Sequence, residues 1–209
     1  RFKKRDVDFY QNTLQTIKQY SVIYNKLLNP SNETDVEIQR ELRSIKQLEI
    51  NVSYPFLLPV YDDYITNDID KNTFIEVLRL IQSYTWRRFI VGLPTNALNK
   101  IFMTLYTDVD RSNYLKSIEK ALIKKRSSQR FPNNIEIEAA LKDKDLYNTQ
   151  AKNRLYYFEQ MEHFRNPERV DLSSADITIE HIFPQNPDIK WKSDITDTDY
   201  KLFSEKYLN

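Results

Sequence analysis

The chain has 209 residues, 40% of them hydrophobic and 13% aromatic, and its 31 basic and 30 acidic side chains leave a formal net charge of +1. That is enough apolar material for a core, and the balance excludes both a cationic nucleic-acid tail and a heavily acidic disordered segment. Any nucleic-acid surface must come from local clustering of charge.

A single glycine, Gly92, stands where average composition gives roughly fifteen. Dinucleotide fingerprints and P-loops are thereby excluded, and few residues are left for hairpin turns, so the fold is expected to be mainly α. In chain order, Phe9, Ile17, Tyr20, Tyr24 and Leu27 predict one face of a helix over 6–28, ended by Asn29-Pro30-Ser31-Asn32. Ile38, Leu42, Ile45 and Leu48 form the stripe of a second helix, and a third starts at Tyr54-Pro55, where proline suits the first turn. Asp70 is positioned to cap a helix carrying Phe74, Val77, Leu78, Ile81, Tyr84 and Phe89, which ends at Val91-Gly92.

Further helices are expected through Leu98, Ile101, Phe102 and Leu105, and then through Leu115, Ile118 and Leu122 behind a Ser112 cap. Two more cover about 134–143 and 148–164, the latter packing Leu155, Phe158 and Met161. Past Asn166-Pro167 the character changes. Ile177-Thr178-Ile179-Glu180-His181-Ile182-Phe183, bounded by Asp176 and Pro184, is the best strand candidate, and a last helix is expected over about 196–208. The division is thus a helical domain over 1–166 and a small α+β unit, with one strand only, over 167–209.

Cysteine is absent, which removes disulfides, thiolate metal sites and a cysteine nucleophile and fits a reducing compartment. The longest charge-free stretch, about a dozen residues around 51–61, falls well short of the roughly 20 needed to span a bilayer. Arg1-Phe2-Lys3-Lys4-Arg5 opens the chain with neither methionine nor a following apolar signal region, so the chain reads as an excised piece of a larger cytoplasmic protein with no membrane partner.

Two histidines exist. His163, near a helix end, reads as a surface or capping residue. His181 follows Glu180, and together they offer what metal-assisted phosphodiester hydrolysis needs: a base for water and a hard oxygen for Mg²⁺ or Mn²⁺. Successive strand residues point to opposite faces, so the pair shares one site only if the strand ends there, as Pro184 allows. The competing reading is a buried structural histidine on the face of Ile177, Ile179 and Phe183. Lys120, Lys124, Lys125, Arg126 and Arg130 form a basic cluster able to contact DNA phosphates, or simply a solvated helix end. Arg87 and Arg88 make a second, weaker pair within an apolar helix.

Asp176-Ile177-Thr178-Ile179-Glu180-His181-Ile182-Phe183-Pro184-Gln185 resembles the first half of the HNH-type (ββα-metal, His-Me finger) nuclease motif. More narrowly, it is similar to the C-terminal nuclease region of GmrSD-type modification-dependent restriction endonucleases. Tyr54 to Leu58, Arg87 to Phe102, Arg130-Phe131-Pro132 and Lys144 to Asn148 carry the same resemblance through the helical region. It implies His181 as general base, Glu180 as metal ligand, Pro184 and Gln185 as the loop leaving the strand, and Mg²⁺ or Mn²⁺ as cofactor. Implied partners are double-stranded, possibly modified DNA and an N-terminal nucleotide-hydrolysing domain, in a defence role against foreign DNA. The family's second strand with Gly-Asn-Leu, and its helix with an asparagine ligand, would follow Asn209. The expected fold is therefore a helical bundle followed by an incomplete ββα-metal unit, inactive by itself. The alternative is a non-catalytic helical scaffold or interaction domain.

Overall fold

The computed structural model describes residues 4–207 except 149–150, 167, 169, 171, 173, 175 and 179–187. The chain divides into two compact units, 1–142 and 143–209. Among the described residues there are helices and turns and no strand.

The first unit holds α1 (Lys4–Leu28), α2 (Val36–Gln47), α3 (Tyr54–Ile65), α4 (Lys71–Val91), α5 (Asn96–Leu105), α6 (Tyr114–Ile123) and α7 (Asn134–Leu141). α4 is its axis, packing against α2, α3, α6 and α7. A helix so surrounded must be apolar on most sides. Phe74, Val77, Leu78, Ile81 and Tyr84 are indeed fully buried, as are Phe56, Leu57, Val60 and Tyr61 of α3 and Phe102 of α5. Aromatic pairs tie the layers together, with Tyr61 and Phe74 ring centres 4.8 Å apart and Tyr84 and Phe131 5.2 Å apart. Contacts of this kind add to simple area burial.

Caps set the limits. Asp70 accepts from the Thr73 amide at 2.8 Å at the start of α4, and Asp35 accepts from the Glu37 and Ile38 amides at the start of α2. Gly92 ends α4 at φ 76°, its amide bonded to the Phe89 carbonyl and the Leu93 amide to that of Arg88. This left-handed exit is what the only glycine is needed for. A capping box between Asn133 and Glu136 opens α7. Ser112 does not cap α6 as expected. Asp110 takes both its amide and its hydroxyl, so Ser112 lies in a short 3-10 turn before the helix.

α1 forms over the expected range, but the fold covers little of its apolar stripe. Of its described side chains only Ile23 and Leu27 are buried, whereas Phe9, Ile17 and Tyr24 of the expected stripe are exposed. The body packs against the C-terminal end of this helix alone, so its periodicity continues beyond the surface that it covers.

The second unit holds α8 (Ala151–Glu162), α9 (Ile189–Asp194) and α10 (Asp197–Tyr207). Within α8 the buried ring is Tyr156, while Met161 is exposed. Arg154 donates to the Tyr147 carbonyl at 2.6 Å and lies over the Tyr147 ring. Thr196 caps α10 by accepting from the Asp199 amide. Of the expected strand, Ile177 and Thr178 lie in no regular element, and residues 179–183 are outside the described residues.

Candidate nucleic-acid interface

α6 turns Ile118 and Leu122 into the core and leaves the opposite side to solvent. On that side Lys116, Lys120 and Lys124 follow one another at four-residue spacing, one helical turn apart. Together with Lys125 they line an open cleft of about 710 Å³ whose far wall carries Asp108, Asp110 and Asn113. Among the described residues none of these four lysines has a carboxylate within ion-pairing distance. The two acidic groups do not cancel the row, and Asp110 is already engaged: its bonds from Ser112 hold its carboxyl below the usual carboxylate range. The C-terminal position of Lys120 and Lys124 on α6 also suits the negative end of the helix dipole. Chemically, such a row can hold successive phosphates of a backbone without reading bases.

The other basic residues behave differently. Arg126 folds back to donate to the Ile123 carbonyl at 3.0 Å. Arg130 is paired with Glu136 at 2.6 Å and donates to the Ser127 carbonyl, and the guanidinium holds the Glu136 carboxyl low. Neither lines the cleft. Lys116, not singled out in the sequence, belongs to it. Its signal was there to read, four residues before Lys120 on the same face.

Arg87 and Arg88 are internal ties and do not face a ligand. Arg88 is 2% exposed and lies over the Tyr84 ring. It donates to the Ser128 carbonyl at 2.6 Å and the Pro94 carbonyl at 2.8 Å. Arg87 donates to the Pro132 carbonyl and to Asn134, and the Tyr84 hydroxyl donates to the Gln129 carbonyl at 2.7 Å. The C-terminal half of α4 thus satisfies the carbonyls of Ser128, Gln129, Arg130 and Pro132, in the short 3-10 turn Ser127–Gln129 and the residues after it. Ser127, at φ 51°, begins it.

Asp63 is a second buried charge with a structural assignment. It accepts from the Tyr106 and Tyr114 hydroxyls and from Arg111. Burial, and then this carboxylate as acceptor, push the Tyr114 hydroxyl far up.

Glu180, His181, Pro184 and Gln185 lie outside the described residues. His163, just past α8, has Nε2 3.0 Å from the Val170 carbonyl, which belongs to the following loop and not to the helix end. Among the described residues there is no cluster of three histidine, aspartate or glutamate side chains able to hold a metal ion, and no helix long and apolar enough to cross a membrane.

Residues 131–209 match the family described as GmrSD restriction endonucleases, C-terminal domain. The match takes in Phe131-Pro132, Lys144 to Asn148 and Asp176 to Gln185, and bears out the resemblance over those stretches. No curated protein and no solved structure matches the chain.

Proposed function

We propose that this chain, with the C-terminal domain of a GmrSD restriction endonuclease over residues 131–209, is part of a metal-dependent enzyme that hydrolyses phosphodiester bonds of foreign or modified DNA. The observation that carries this reading is that the matched segment spans Glu180-His181-Ile182-Phe183-Pro184. Glu180 supplies a carboxylate oxygen, a hard donor suited to Mg²⁺ or Mn²⁺, and His181 an imidazole nitrogen able to take a proton from water. The bound cation would polarise the phosphate and offset charge on the leaving oxygen.

The remaining steps fall to the chain. His181 takes a proton from water, the resulting hydroxide attacks phosphorus, and the P–O bond to the leaving group breaks. Glu180 would hold the cation. Lys116, Lys120, Lys124 and Lys125 of the first unit contact DNA backbone by charge, with no contribution to sequence choice. In this reading Glu180 and His181 belong to a ββα-metal unit. A nucleotide-hydrolysing domain acts together with it in this reading. The direct test is plasmid nicking by the whole gene product. Glu180→Gln should raise the Mg²⁺ or Mn²⁺ concentration needed for half-maximal rate. An unchanged metal requirement removes Glu180 from the site.

A helical scaffold with no catalytic part is the other reading. The carbonyl-satisfying arginines of α4 and the buried Asp63 show that the first unit uses its internal charges for structure. That suits a body that positions DNA, and the lysine row on its surface is what a pure scaffold would not need.

A further inference from the structure

The cleft beside α6 has two unlike walls. Lys116, Lys120, Lys124 and Lys125 make one, and Asp108, Asp110 and Asn113 make the other. The walls are tied to each other. The Asp110 amide donates to the Ser117 hydroxyl at 2.9 Å, and that hydroxyl donates to the Tyr114 carbonyl at 2.7 Å. From Lys116 to Lys124 the row runs about 12 Å along the helix axis. That is the reach of about three phosphates of one strand. The space between the walls, about 710 Å³, is of the size that encloses a small molecule and cannot admit a double helix.

We propose that the cleft takes a single DNA strand, with its phosphates along the lysines and its base edges toward Asp108 and Asn113. This rests on the proposed DNA reading and names the form of DNA that the first unit holds. A double helix carries phosphate on both outer sides. A cleft with one cationic and one acidic wall therefore repels one backbone where it attracts the other. An unpaired strand has phosphate on one side and free base edges on the other, which matches the two walls.

The acidic wall also chooses among bases. Cytosine and adenine present amino donors, which a carboxylate accepts, whereas thymine presents the O4 acceptor, which a carboxylate repels. Asp110 is engaged by Ser112, but Asp108 is exposed at the end of its turn. Asn113 donates to the Ser112 hydroxyl at 3.3 Å, which leaves its carbonyl oxygen as a second acceptor. Among the residues lining the cleft there is no aromatic ring, so base stacking is not what holds the strand there.

The test is fluorescence anisotropy of the whole gene product in EDTA, where no strand is cut, with labelled oligo(dC) and oligo(dT) of equal length. Oligo(dC) should bind about fivefold tighter, the lower end of what one base-edge contact discriminates. Asp108→Ala should bring the two affinities together with the thermal melt unchanged. Unlabelled duplex should displace oligo(dC) about tenfold less well than unlabelled oligo(dC) does. Equal affinities in the unsubstituted protein, a preference that survives Asp108→Ala, or equal displacement by duplex overturns the proposal. Lys120→Glu with Lys124→Glu should weaken both oligonucleotides about tenfold. If it does so while the two bind equally from the outset, the lysine contact stands and the single-strand proposal alone falls. If it weakens neither, both fall.

Discussion

Arg88→Ala should be among the most damaging single substitutions in the first unit. The guanidinium is almost fully buried and makes two well-formed bonds, at 2.6 Å to the Ser128 carbonyl and 2.8 Å to the Pro94 carbonyl, with its plane over the Tyr84 ring. Bonds from a charged donor contribute about 1.5–3 kcal/mol each, and stranding buried acceptors costs about as much. The cation–π contact adds on the order of 1 kcal/mol. An expected loss of about 3–5 kcal/mol follows, because the changes share one site and do not add fully. For a unit of this size that lowers Tm by about 8–15 °C. Arg88→Lys keeps the charge but not the fork, cannot reach both carbonyls at once, and should fall between. The assay is urea and thermal unfolding followed by far-UV circular dichroism and tryptophan fluorescence. A loss below about 1 kcal/mol for Arg88→Ala would mean that the loop is held by something else, and the reasoning about α4 would be wrong.

Gly92→Ala should cost about 1 kcal/mol through its positive φ alone, because a Cβ there meets nothing within 4 Å. An unchanged midpoint in urea would show that the exit from α4 relaxes. Raising pH should destabilise the first unit. The Tyr114 hydroxyl is held well above its ordinary 10.0 by burial and by Asp63. Its contribution is therefore complete below about pH 10 and fades as pH climbs beyond that. Tyr114→Phe should flatten that alkaline decline, and an identical pH profile for the two proteins would refute the assignment. DNA binding should weaken with salt at a slope of about −0.9 per phosphate held. Lys120→Glu with Lys124→Glu should lower the slope by about two phosphate contacts. A slope that does not move takes the cleft out of the interface.

The helical body was legible because its periodicities coincide with its burial. Ile38, Leu42 and Ile45, or Leu98, Ile101 and Phe102, are spaced for one face and that face is buried. Asp70 and Gly92 sat where a cap and a left-handed exit must be. The stripe of α1 marks the limit of such reading: spacing shows that a helix has an apolar face and says nothing about whether the same unit covers it. The charged residues show the same gap. Lys120 and Arg130 look alike as letters, yet Lys120 lines an open cleft while Arg130 is paired with Glu136 six positions on. Arg88 looked like a basic residue in an apolar helix. Only the fold shows that carbonyls from 128–132 arrive around it, since those contacts span some forty positions.

The most direct measurement of the account is the nicking rate of supercoiled plasmid by the whole gene product with Mg²⁺ or Mn²⁺, with and without His181→Ala. Loss of a general base should slow the single-turnover rate about 10²–10⁴-fold, with DNA affinity and thermal midpoint unchanged. Full activity in the substituted protein would contradict the assignment of His181 as the base, and with it the central step of the mechanism.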